Sequence, residues 1–455
     1  MFIPDGRRTI VAVLVLTFSA IAAAAESPQT QRPSDTTSPT PTPDHGQAAN
    51  GEARAFLERA SLCVASVEDP EDRVFRLCHM ARVQSRHGLR DAAVKTLRQA
   101  RDAAERVQDP DYRAHRLGDI AACQTEIGDS KAALELVNGL PEIHRDSALR
   151  YVSEAQAKIG ALDSAAETAA MIRQPIYRGE AFQRIATAYA ERPDFASAQR
   201  IASGISEPSA QARAWATIAV RQLRAGDRPA AEETLSRATK TTAQIPFDPA
   251  EPNDHKAAMM AEIAGVQAEF GNIAGARQTA QEITEAPWQD LAWGNIATAQ
   301  SNRGDIQAAL RAADSIQVSY YRGQAVSAIV AALGQSGDLA AARKLADSIP
   351  SDYWRLNAFV VLAKSQIRAG QREAATRLME TVLREADSIK DDKKLPVRGL
   401  KRALLYQLAQ VQSQAGDWTA ASQWIARQSS SDIRTLAYVG LAEGLAAPQQ
   451  DKGPK

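Results

Sequence analysis

Apolar residues recur along most of this chain at intervals of three and four, the spacing that puts side chains on one face of a helix. The runs are cut at regular points by Gly88, Gly128, Gly160, Pro193, Gly226, Gly271, Gly304, Gly337, Gly370 and Gly416. Steps between these breaks are 32 or 33 residues, except for longer ones after Gly88, Gly226 and Gly370. Eight residues before each break lies a large apolar residue: Met80, Ile120, Val152, Ile185, Ile218, Ile263, Ile296, Ile329, Leu362 and Leu408. Five residues after each stands alanine, from Ala93 and Ala133 through to Ala375 and Ala421, as suits two helices crossing too closely for more than a methyl group. A helix, a tight turn and a second helix form the unit that these positions describe. Ten breaks predict ten helical hairpins in an all-α array, a periodicity that signals stacked repeats.

Glycine at the turn ends the first helix, and Asp or Asn often follows it: Asp129, Asp227, Asn272, Asp305, Asp338 and Asp417. A short side chain there can cap the exposed amides of the second helix, for about 1 kcal/mol each. The three long steps fall at every fourth hairpin and suggest a duplicated four-hairpin block. Their extra length is expected after the second helix, around Asp109-Pro110, Pro246 to Pro252 and Asp391 to Pro396. Beyond Gly416 the register yields one more first helix through Arg434, Tyr438, Leu441 and Ala442, without a partner. At the other end, residues 52–67 read as a helix that covers the first hairpin. Both are expected to cap the array against water.

With those residues in place, the unit resembles the tetratricopeptide repeat. Trp293, Ile296, Ala297, Gly304 and Ala309 match the family's large, apolar, small, turn and small positions, as do Trp215, Ile218, Ala219, Gly226 and Ala231. The step is one residue shorter than the family's usual unit. Glutamine (Gln84, Gln124, Gln156, Gln222, Gln267, Gln300, Gln366, Gln412) stands where the family carries tyrosine, which remains at Tyr189. The resemblance implies a right-handed superhelical α-α solenoid whose first helices line a concave face, with residues 13, 10 and 6 before each turn pointing into it.

The N-terminus has a different pattern. Arg7 and Arg8 precede an apolar run from Ile10 to Ile21 and the small residues Ala22 to Ala25, the layout of a secretory signal over residues 1–25. Retained uncleaved, it would be the chain's one membrane contact. Residues 26–50 are rich in Pro, Thr, Ser and Gln and read as an extended spacer. The repeat array then occupies residues 51–447, and a polar tail 448–455. A periplasmic or secreted location follows as the expectation.

Charge and chemistry add constraints rather than a reaction. Lys plus Arg and Asp plus Glu both number 54, so no net field draws in nucleic acid. An aromatic or His followed by a basic residue opens many first helices, as in Tyr112-Arg113, His144-Arg145, Tyr321-Arg322 and Trp354-Arg355. Such a pair can seal the joint between hairpins, with the cation on a neighbouring acid, or form a basic ladder for an anionic polymer; balanced charge favours the first. Cys63 and Cys78 flank the Asp69-Pro70 turn and could be levelled into a disulfide by antiparallel helices, whereas Cys123 reads as a small buried apolar residue. Neither metal-ligand spacing, nucleophile elbow nor phosphate loop is present, so no cofactor or metal is expected.

The concave lining is mostly small and neutral. Its polar positions are Arg150, Glu154, Glu180, Gln183 and Arg213, with His115, Gln324, Asn357 and Lys364 beyond them, and these are the candidate binding residues. The expected function is a non-catalytic scaffold of the cell envelope that holds a protein or peptide segment on this face. An accessory role in envelope polysaccharide assembly or export is the alternative. An α-toroid enzyme, with acids distant in sequence meeting at a centre, is a remote third.

Overall fold

The computed structural model describes residues 43–246, 255–386, 389 and 399–445. The signal-like segment and the 448–455 tail lie outside the described residues. Among the described residues every regular element is a helix, and no helix is long and apolar enough to cross a membrane.

First helices are α2 (Pro70–Arg86), α4 (Pro110–Glu126), α6 (Glu142–Ile159), α8 (Pro175–Glu191), α10 (Pro208–Arg224) and α12 (His255–Glu269). They continue with α14 (Ala286–Asn302), α16 (Ser319–Ser336), α18 (Asp352–Arg368), α20 (Leu400–Ala415) and α22 (Ser431–Leu445). Second helices between them are α3 (Arg90–Ala104), α5 (Ser130–Asn138), α7 (Leu162–Ala170), α9 (Phe195–Ser203) and α11 (Arg228–Gln244). Then follow α13 (Ile273–Glu282), α15 (Ile306–Asp314), α17 (Leu339–Asp347), α19 (Arg372–Glu385) and α21 (Trp418–Arg427). The N-terminal helix α1 spans Pro43–Val64, so it starts inside the stretch expected to be spacer.

The local logic is as the sequence implies. Turn glycines take positive φ, from 74° at Gly88 to 90° at Gly128 and Gly160, where a side chain would be strained. Asp129, Asp227, Asn272, Asp305 and Asp338 each accept a backbone N–H three residues on; Asp417 does not, while Asp194, outside the expected set, does. Ala93, Ala133, Ala165, Ala198 and the corresponding alanines are fully buried at the crossings. The step after Gly88 differs from expectation, its extra residues falling mostly inside α3 rather than after it. In the three long steps part of the extra length goes into the second helix itself, which has 15 residues in α3, 17 in α11 and 14 in α19 against 9 in α5, α7 and α9, while residues 247–252 and 391–396 lie outside the described residues. Arg98 to Ala104 contains no glycine or proline that would stop α3 sooner.

Buried carboxylates also join hairpins. Asp146 accepts the backbone N–H groups of Arg173 and Gln174 at 3.1 and 2.8 Å, and Asp290 those of Gln317 and Val318 at 2.9 Å each. Each thereby satisfies exposed amides at the start of a first helix in the next hairpin.

The ends of the array bring the main departure. Each first helix packs on the first helices beside it, and each second helix on the first helix of its own hairpin and the next. First helices therefore form the inner layer and second helices the outer. At the C-terminus α22 packs on α20, as the register requires, but also on α2 and, along its length, on α1. The two terminal helices do not cap separate ends. They pair with each other, with α22 as first and α1 as second helix of an eleventh hairpin that closes the solenoid into a ring. Ala53, Phe56, Leu57, Ala60 and Val64 of α1 are buried in one core with Ala437, Tyr438, Leu441 and Ala442 of α22. Each large side chain in that joint stabilises closure by about 1.5–3 kcal/mol.

Candidate functional site

Among the described residues, recesses lined by first helices alone open on the inner face, and two of them hold expected polar residues. One, of about 370 Å³, lies across α8, α10, α12 and α14 and includes Gln183, Arg184, Arg213, Arg221, Arg224, Glu262, Glu269 and Asn295. The other, of about 210 Å³, lies across α16, α18 and α20 and includes Gln324, Ser327, Asn357, Lys364, Arg368, Gln407, Gln410 and Gln414.

Of the expected polar residues, Gln183 and Arg213 line the first recess and Gln324, Asn357 and Lys364 the second, while Arg150, Glu154, Glu180 and His115 line neither. Arg150 on α6 joins Glu154 at 2.6 Å and Glu180 of the next hairpin at 3.1 Å. Burial works against the Arg150 cation, yet Glu154 and Glu180 hold its pKa above the usual arginine value. Burial pushes the Glu180 carboxyl up against the pull of Arg150. The Arg213 guanidinium, raised by Glu262 despite burial, meets that carboxylate at 2.8 Å. Gln183 is 5% exposed and donates to Thr187 at 3.0 Å. The group expected to meet a ligand is thus largely engaged in bridging α6, α8, α10 and α12. His115 lies on α4, one turn before Asp119, a carboxyl that burial raises.

Gln324, Asn357 and Lys364 do come together, in the second recess. Ser327 donates to Asn357 at 2.9 Å, and Asn357 to the Gln407 carbonyl oxygen at 3.0 Å, a chain of side chains that crosses three hairpins. The Gln407 amide nitrogen has no partner among the described residues and remains able to donate to an acceptor in the recess.

Residues nine and two before the turn also face inward: Arg184, Glu262, Asn295 and Gln407 at the first position, Arg224, Glu269, Arg368 and Gln414 at the second. The sequence reading omitted them although they continue its own helical spacing.

At the joint of the ring a third polar group bridges the chain ends. Glu443 of α22 pairs with Arg86 at 2.6 Å and His79 at 3.4 Å, and accepts from the Tyr406 hydroxyl. Those partners outweigh burial and hold Glu443 well below the usual carboxylate range, while burial and Glu443 push the Tyr406 phenol up.

Two other expectations meet different geometry. All three cysteines are free; Cys78 is buried beside Cys123 of α4, whose thiol lies 3.8 Å from the Cys78 carbonyl oxygen, and no bond joins Cys78 to Cys63. Helix rotation decides this, turning Cys78 toward the next hairpin. The Cys123 thiol and burial together push Cys78 well above its ordinary pKa. The basic residue that opens many first helices caps the helix before it. Arg113 donates to the Val107 carbonyl at 2.9 Å, and Arg145 to those of Asn138 and Leu140 at 3.3 and 3.2 Å. Gln289 serves the Ile283 carbonyl at 2.8 Å without any charge, while Arg322 reaches Asp314 on the preceding second helix and Arg355 reaches Glu385 on the second helix of its own hairpin. Those cations are spent on helix ends rather than presented as a ladder.

Among the described residues no three His, Cys, Asp or Glu side chains converge on a metal-sized centre. No protein-family model matches the chain, and no curated protein does. Among solved structures it is similar to Ton1535 from Thermococcus onnurineus NA1, at 15% identity over 79% of this chain and 99% of that one, with a TM-score of 0.24. It is also similar to a circular tandem repeat protein with novel repeat topology and enhanced subunit contact surfaces, at 14% identity over 84% of this chain and 82% of that one, with a TM-score of 0.16. Scores so low carry no argument, and the architecture rests on the chain's own geometry: a closed array of helical repeats.

Proposed function

We propose that this chain is a non-catalytic interaction scaffold of the cell envelope, whose inner wall holds an extended segment of a partner protein. The observation that carries this reading is the second recess, where Gln324, Asn357, Gln407, Gln410 and Gln414 gather amides beside the small residues Ser327, Ala328 and Ala331. Amides can both donate to and accept from a peptide backbone, and small neighbours let that backbone approach. Aromatic rings near it do not offer a sugar-stacking face, because Tyr320, Tyr353 and Trp354 are at most 5% exposed. The turn glycines and crossing alanines support reading the unit as a divergent tetratricopeptide-like repeat, and the signal-like N-terminus supports export.

Photo-crosslinking tests this. With p-benzoylphenylalanine at Gln414 on the inner wall, cells that make the protein should yield a protease-sensitive adduct. The same group at Lys344, exposed on α17, should not. Equal yields at both positions, or an adduct that survives protease, would refute the reading.

A further inference from the structure

In three hairpins the residue eight positions after the turn meets the glutamine four positions before it. Thr96 donates there to Gln84, Thr279 to Gln267 and the Trp424 indole to Gln412, at 2.7 to 2.9 Å. Leucine takes the same position at Leu136, Leu345 and Leu378, and among the ten hairpins its smallest occupant is Ala312, in the seventh, the hairpin of Gln300. The Ala312 methyl cannot donate a hydrogen bond. Gln300 is 5% exposed, and neither end of its side-chain amide has a hydrogen-bond partner among the described residues.

Where a larger side chain is missing, the outer wall is hollow. A recess of about 250 Å³ opens between α13, α14 and α15, with Ile273, Trp293, Ile296, Gln300, Ala308 and Ala312 in its lining. The Arg277 guanidinium lies 6.0 Å from the centroid of the Trp293 ring, and the Asp305 carboxylate is committed to its cap, accepting the Ala308 N–H at 3.0 Å. A buried amide acceptor left unmet costs free energy, which a donor entering the recess recovers. The last torsion of glutamine is broad, so the amide can turn its oxygen to the recess, and no hydrogen bond to a described residue is broken when it does. Oxygens of Gln124, Gln156, Gln222 and Gln366 are unmet too, yet each has Leu or Thr where Gln300 has Ala312. Space and an orphaned amide coincide at Gln300.

We propose that this recess binds a small planar aromatic molecule bearing a ring N–H, indole being the simplest of the class. Its N–H donates to Gln300 Oε1 as Trp424 Nε1 does to Gln412, and its ring lies against Trp293 and Ile296. The tenth hairpin carries in its own chain the group that the seventh takes from solution. The site belongs to the outer layer, so it stands whether or not the inner wall holds a peptide.

Saturation-transfer NMR titrations on the full chain test it, with indole and with benzofuran, which has nearly the same shape and no N–H. Indole should bind saturably and benzofuran about tenfold more weakly, the difference that one hydrogen bond makes. Gln300→Met should bring indole down to the benzofuran level and leave benzofuran unchanged. Ala312→Leu should abolish binding of both while melting no lower than the parent, because leucine already stands at this place in three other hairpins. Absence of saturable indole binding, equal affinities for the two compounds, or indole binding that survives Ala312→Leu would overturn the site.

Discussion

Asp432 accepts a hydrogen bond from Arg76 Nε at 2.5 Å, a contact between residues 356 positions apart in the chain. Arg402 adds a second guanidinium at 2.7 Å, so one carboxylate ties α22 to both α2 and α20. The Asp432 side chain is 14% exposed and that of Arg76 7%, which leaves little water to replace either partner. Asp432→Ala should therefore lower unfolding stability by about 3 kcal/mol, read from urea denaturation. Hydrogen exchange should place the loosening in α22 and α1. An unchanged midpoint would mean that apolar packing alone holds the joint.

Acid should act unevenly around the ring. Despite burial, hydrogen bonds from Arg76 and Arg402 hold Asp432 below its ordinary range, and Glu443 is depressed as described above. Their folded values lie below their unfolded ones, so the stability they contribute is present above about pH 5 and is lost as pH falls through the carboxylate range. Asp119 and Glu180 shift the other way, burial being the leading cause in both. Their charged forms weaken the fold at neutral pH, and protonation relieves that. Between about pH 5 and pH 3, amide protection should fall in α22 and be retained in α4 and α8. A uniform loss around the ring would contradict this.

Three of the glutamines in place of tyrosine reach across their own hairpins. Gln412 accepts from Trp424 Nε1 at 2.7 Å, Gln84 from Thr96 at 2.8 Å and Gln267 from Thr279 at 2.9 Å, each partner being 12 residues on. Gln366 is also buried, but its side-chain oxygen has no partner among the described residues. Gln412→Ala should cost about 1–3 kcal/mol by stranding the indole N–H. Gln366→Met should cost less than about 1 kcal/mol or be stabilising. Thermal melts of the pair decide it, and equal losses would count against the hydrogen bond as the cause.

Gly294→Ala should raise stability by about 0.5–1 kcal/mol, because glycine inside a helix is entropically unfavourable and the added methyl would make only an ordinary contact with Ile316, at 4.0 Å. Gly118→Ala makes the contrast, since its methyl would lie 3.1 Å from the Tyr151 ring. Both are read by melting temperature. A stabilised Gly118→Ala would show that Tyr151 moves freely.

The repeat was legible because its determinants are local. Gly304 with Asp305, or Ile296 with Ala309, specify a turn and a crossing within one hairpin. Closure is not local, because the helices that make it lie at opposite ends of the chain. Ala53, Leu57, Ala60, Val67 and Asp69-Pro70 each stand 40 residues before Ala93, Leu97, Ala100, Val107 and Asp109-Pro110. The helix before the first hairpin thus carries the pattern of a second helix, and α22 the pattern of a first. Among site residues, Arg150 and Arg213 could be placed on the inner face from spacing alone. That they are matched by Glu154 and Glu262, and that Arg184 is not, depends on side-chain reach between hairpins, which periodicity does not encode.

An open stack of repeats frays: its outermost units have one neighbour and unravel first. The hairpin shared by α1 and α22 leaves no outermost unit. Each hairpin has a neighbour on both sides, and none can peel away without breaking two interfaces. Opening must begin with a rupture somewhere in the circle, so the array should resist partial unravelling and, once ruptured, lose its order from two new edges together.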